Sequence, residues 1–101
     1  MINVIASIRV KSNRILEFIE IFKSNVPAVL KEVGCKDYSP TVDIDANLPP
    51  QGLDKNIITV IEKWESLEAL HNHLKSSHMQ LYMEKVKDMV EDLSIKVLKS
   101  I

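Results

Sequence analysis

Two hydrophobic periods succeed one another along this chain and mark out its elements. Ile2, Val4, Ala6, Ile8 and Val10 alternate with Asn3, Ile5, Ser7 and Arg9, predicting a first strand with one wholly apolar face. Ser12 then offers an N-cap oxygen to a helix. Ile15, Phe18, Ile19, Phe22, Val26, Val29, Leu30 and Val33 follow at three-and-four spacing. Pro27 falls inside that pattern and predicts a kink or break just before it. Gly34 closes the segment.

A second strand is expected from about Lys36 to Ile44, with Tyr38, Val42 and Ile44 on one face. Pro40 cannot donate to a ladder and places this strand at a sheet edge. Asp45 to Lys55 carries Pro49-Pro50 and Gly52, a connection long enough for a mobile flap. Asn56 to Trp64 is the strongest strand pattern in the chain. Ser66 opens a short helix with Leu67, Leu70 and Leu74 on one face. Ser77 and Gln80 match a capping box for another. Met79, Tyr82, Met83, Val86, Met89, Val90 and Leu93 give that last helix an apolar stripe, and Ser94 to Leu98 closes as a strand. The order strand, helix, strand, strand, helix pair, strand predicts one α+β domain over residues 1–101. Its simplest form is ferredoxin-like βαββαβ, a four-stranded antiparallel sheet with helices on one face. Apolar residues also fall on the other face, Ile5 and Ile61 among them. A homodimer packed sheet to sheet is the expectation.

The length of 101 residues, 46% hydrophobic and 27% charged, suits a single globular core. A net charge of −1 leaves no basic field for phosphate backbones, so nucleic acid is not an expected partner. No apolar run is long enough to cross a bilayer, and no signal-peptide pattern opens the chain. With one cysteine, Cys35, no intrachain disulfide can form, and a soluble cytoplasmic protein is expected. Cys35 reads as packing more readily than as a nucleophile.

Candidate chemistry gathers between Ile61 and His78, which hold the sole tryptophan and all three histidines. Alternation puts Val60, Glu62 and Trp64 on one strand face. Trp64 is either a core anchor or a flat wall for an aromatic ligand. Glu62, in an otherwise apolar row, needs an ion-pair partner or acts as an acid or base in a pocket. His71 and His73 lie two apart on a helix, so they cannot share one ion and only one reaches the interior. His78 sits in the first turn of the next helix, where the positive helix end favours the neutral ring. Met79, Tyr82 and Met83 beside Trp64 would make an adaptable wall for a flat ligand. No metal-ligand spacing and no phosphate or dinucleotide loop is present.

Val29-Leu30-Lys31-Glu32-Val33-Gly34-Cys35, Tyr38-Ser39-Pro40 and Val42-Asp43 form one set of motifs. Ile61-Glu62-Lys63-Trp64-Glu65-Ser66, His73-Leu74, Ser77-His78-Met79, Tyr82 and Val86 form another. Together they resemble the antibiotic biosynthesis monooxygenase family, and in particular its bacterial quinol monooxygenases. The resemblance implies a dimeric α+β barrel. It also implies oxidation of quinol-like or polycyclic aromatic substrates by dioxygen, without flavin, haem or metal. It makes Trp64 the substrate wall and His73 or His78 the base or oxygen-anion stabiliser. Glu62 would orient a histidine, and Tyr38 or Tyr82 would give a hydrogen bond, with Met79 and Met83 lining the site. Haem-degrading members of the fold would carry a ligating histidine near Met83, where none stands. Two other readings compete: a non-catalytic dimer that binds small aromatics, and an isomerase of a small phosphorylated metabolite.

Overall fold

The computed structural model describes Met1–Ile101. Its elements run β1 (Ile2–Val10), α1 (Ile15–Leu30), β2 (Cys35–Thr41), β3 (Ile57–Trp64), α2 (Leu67–Lys75), α3 (Ser77–Val86) and β4 (Val90–Leu98). The four strands form one antiparallel sheet in the order β2-β3-β1-β4, the ferredoxin-like topology, with β2 at an edge as Pro40 requires. The inner rows are Val4, Ala6, Ile8 and Val10 on β1 and Ile58, Val60, Glu62 and Trp64 on β3, all buried under the helices. Phe18, Phe22 and Val29 of α1, Ala69 and Leu70 of α2, and Met79 and Val86 of α3 complete the core. No helix is long and apolar enough to cross a membrane.

Several local expectations are corrected. Ser12 does not cap; a 3-10 turn over Ser12–Arg14 leads into α1 instead. α1 runs unbroken through Pro27, because Pro27 lies on the exposed side, where water can satisfy the carbonyl it leaves unbonded. β2 ends at Thr41, so Val42 and Ile44 stand exposed in the connection rather than beside Tyr38. That connection is tied by Asp54 N–H to Asp43 Oδ2 (2.7 Å) and by Gln51 Nε2–H to the Ile44 carbonyl. The capping box does not form: Ser76 is the N-cap of α3, and its hydroxyl donates back to the His73 carbonyl. α3 stops at Val86, and Val90 and Leu93 belong to β4, paired opposite Val10 and Ile8. Their spacing fits a helix, but the nine-residue β1 demands a partner along its length, and pairing decides.

The helix-free face is less apolar than expected, since Asn3, Ser7, Thr59, Lys63 and Lys96 interrupt Ile5, Ile57, Ile61 and Leu98. A second apolar row was not foreseen. Leu93, Ile95 and Val97 of β4 lie on the helix side of the sheet yet remain 54%, 47% and 47% exposed, because the helices lean over β1, β2 and β3.

Candidate active site

The site is built where the turn after α1 meets α2. Ser66 caps α2 by accepting from the Ala69 N–H at 3.1 Å, and this sets the helix so that Ala69, Leu70 and His73 face inward. Leu67 and Leu74 are exposed by comparison, so His73 takes the interior position the leucine spacing suggested for Leu74. His71 faces solvent. Gly34 follows α1 with φ +86°, and a Cβ there would stand 2.6 Å from Ala69 Cβ. Its carbonyl accepts from the Glu65 N–H at 2.8 Å. Only a glycine permits that approach, and the approach carries Glu32, two residues earlier, onto α2.

Glu32 Oε2 lies 2.7 Å from His73 Nδ1 and 3.3 Å from His78 Nε2. His73 is 2% exposed, with ring centroids 4.6 Å from Trp64 and 5.4 Å from Tyr38. Burial lowers its pKa, and the Glu32 hydrogen bond and charge oppose that shift. A carboxylate on Nδ1 holds the proton there and leaves Nε2 as the free lone pair. Glu62 is also buried, and desolvation raises its pKa against the lowering effect of the Trp64 bond. Trp64 Nε1–H donates to Glu62 Oε1 at 2.9 Å. Burial and the Glu62 charge push both phenols, Tyr38 and Tyr82, well above their ordinary value, so they stay protonated donors. Burial likewise raises the Cys35 thiol, which makes it a poor nucleophile.

A cavity of about 90 Å³ lies between α3 and the sheet. His73, Glu62, Tyr38, Tyr82, Met79 and Met83 line it, together with Phe22, Leu74 and apolar residues of β1 and β4. The structure therefore brings six of the expected site residues together and leaves out two. Trp64 is fully buried and does not line the cavity; it stands behind it, against His73 and Glu62. His78 borders a separate outer recess with Asn25, Leu81 and Lys85, and neither of its buried ring nitrogens finds a hydrogen-bond partner of good geometry. Glu62 bonds the indole, not a histidine; the carboxylate that holds His73 is Glu32, which sequence reasoning did not single out. Its only trace there is a carboxylate two residues before the helix-ending glycine. No three His, Cys, Asp or Glu side chains converge to hold a metal ion.

Comparison with known proteins agrees with this geometry. The family model for antibiotic biosynthesis monooxygenase matches residues 1–85. The Escherichia coli K12 protein named "Probable quinol monooxygenase YgiN" is 39% identical over 98% of this chain and 97% of its own length. Among solved structures, a conserved protein from Methanosarcina mazei Go1 superposes with a TM-score of 0.85 at 25% identity, covering 99% of this chain and 92% of that one. PA3566 from Pseudomonas aeruginosa gives 0.83 at 19% identity over 99% and 93%, a likeness of fold. The chain belongs to the antibiotic biosynthesis monooxygenase family and is an enzyme of monooxygenase type.

Proposed function

We propose that this protein oxidises a quinol with dioxygen and without a cofactor, using His73 as the base. The observation that carries the reading is the Glu32–His73 pair: the carboxylate takes up Nδ1, and the ring lines a largely apolar cavity flanked by two protonated phenols. His73 Nε2 takes a proton from the quinol hydroxyl, and the Glu32 carboxylate stabilises the imidazolium that forms. The quinolate is electron-rich enough to pass an electron to dioxygen, and the radical pair joins at a ring carbon. One oxygen atom stays on the ring. The other leaves as water with two of the hydrogens the substrate gives up, so every electron comes from the substrate. The imidazolium returns its proton to the departing oxygen. Tyr38 or Tyr82 donates to the substrate oxygens.

Pockets for drug-sized ligands hold about 300 Å³ or more, so a quinol ring enters this cavity as Met83 and Leu74, both partly exposed, swing aside. Methionine suits that movement. A phosphorylated substrate fits poorly, because no lysine or arginine lines the cavity. One competitor would use the same cavity, a non-catalytic dimer that binds small aromatics. Oxygen uptake with a panel of hydroquinones decides between them: acceleration above autoxidation, lost in His73→Ala, is expected, and no acceleration with any quinol sinks the enzyme reading.

We further propose that the working form is a homodimer joined through the helix-free face around Ile5, Ile61 and Leu98. Ile5 and Ile61 pair across β1 and β3, and Ile61 and Leu98 are 44% and 43% exposed, apolar surface that association would cover.

A further inference from the structure

We propose that the substrate is a quinol bearing an aliphatic tail, and that the tail lies in a trough between α3 and β4 leading out of the reaction cavity. The inference rests on the quinol reading and names its substrate class. The cavity at His73 and Glu62 does not stand alone. Ile8, Tyr82, Met83 and Leu93 line it and also line a second recess of about 160 Å³, whose remaining walls are Val86, Val90 and Lys87. These four side chains stand between the two spaces, and the swing of Met83 that admits the ring would join them into one passage from the buried base to the surface.

Its chemistry changes along its length. The inner end carries the histidine, a carboxyl and two phenols. The outer recess is lined by apolar side chains apart from Lys87, which stands at the rim. A polar ring belongs at the first end and a hydrocarbon at the second. Leu93 and Ile95, left half-exposed on the helix side of β4, gain a covering when a tail lies there. The dimer proposed above uses the opposite face of the sheet and leaves this passage free. A bare quinol would fill the inner end alone.

The test is a series of alkyl hydroquinones of increasing chain length, with oxygen uptake as the readout, paired with calorimetric binding of the matching quinones, where no reaction occurs. The expected result is that kcat/KM and quinone affinity both rise, by up to roughly fourfold per methylene buried, then level off as the chain outgrows the trough. Val90→Asn should flatten the rise while leaving turnover of the unsubstituted quinol in place. Rates and affinities independent of chain length overturn the proposal, as does a Val90→Asn protein that keeps the full rise. If Val90→Asn does not fold, the wild-type series decides. Quinone affinity that climbs with chain length in a protein that oxidises no quinol would refute the catalytic reading and leave the trough standing.

Discussion

Glu32 Oε2 sits 2.7 Å from His73 Nδ1 although 41 residues of chain separate the two. The contact makes one side chain the keeper of another's ionisation. Around the ring stand Tyr38 from β2, Glu62 from β3, His78 from α3 and Glu32 from the turn after α1, and the direction of the His73 shift is downward from 6.5. The neutral, proton-accepting ring therefore persists to lower pH than a free imidazole. Glu32→Gln removes an influence that raises the pKa. The acid limb of kcat/KM should move to still lower pH, and the plateau should fall by about tenfold or more as the base weakens. A pH–rate profile that keeps its limb in place would remove Glu32 from this role.

The two histidine candidates should separate cleanly. His73→Ala takes away the group that lines the cavity and should cost roughly 10²–10⁴-fold in kcat. His78→Ala lies outside the cavity and should retain activity within about tenfold, its influence passing only through the shared Glu32 oxygen. Steady-state oxygen uptake by the two variants checks the ranking, and equal losses would contradict it.

Glu62 is a stability liability at neutral pH. Its folded-state pKa is raised above 4.5, so the native state binds the extra proton and stability falls as pH climbs through that window. His73 acts in the other sense: its lowered pKa means that stability is present above 6.5 and declines as pH drops through it. Glu62→Gln keeps an acceptor for the Trp64 N–H and removes the buried charge. Thermal melts at pH 7 should show a Tm higher by several degrees, about 4–8 °C for each kcal/mol recovered. An unchanged or lower Tm would mean that the carboxylate is not destabilising there.

Gly34→Ala should damage fold and site together. The left-handed backbone and the 2.6 Å approach to Ala69 Cβ predict a loss of about 2–4 kcal/mol. Pairing it with Ala69→Gly relieves the clash and leaves the backbone cost, so part of the Tm should return. A double mutant no more stable than Gly34→Ala alone would show that crowding is not the cause.

Ile61→Lys tests the association surface. It places a charge in the middle of the helix-free apolar patch and should convert a dimer to monomer in sedimentation at micromolar concentration. A wild-type protein that is itself monomeric there removes the dimer.

The inner face of the sheet was legible because alternation is a local property: Val60, Glu62 and Trp64 had to share a side. The same geometry separated His73 from His71. The end of α3 was not legible, since Met89, Val90 and Leu93 satisfy helical spacing and only the ladder to β1 makes Val90 and Leu93 strand. Nor was Glu32, whose position depends on a backbone approach between Gly34 and α2 that no local pattern encodes. Of the two readings open to Trp64, core anchor and wall, its complete burial bears out the first. A large aromatic beside polar groups reads as a wall, but the sheet register puts it one layer deeper, as support for the ring that lines the cavity.

That placement gives the molecule its own optical reporter. Trp64 is the sole indole in the chain. Its N–H is tied to one ionisable group, Glu62, and its ring leans on another, His73. With no second tryptophan to dilute the signal, its emission should follow the charge on both partners, so a fluorescence titration would read the ionisation of this interior without a label.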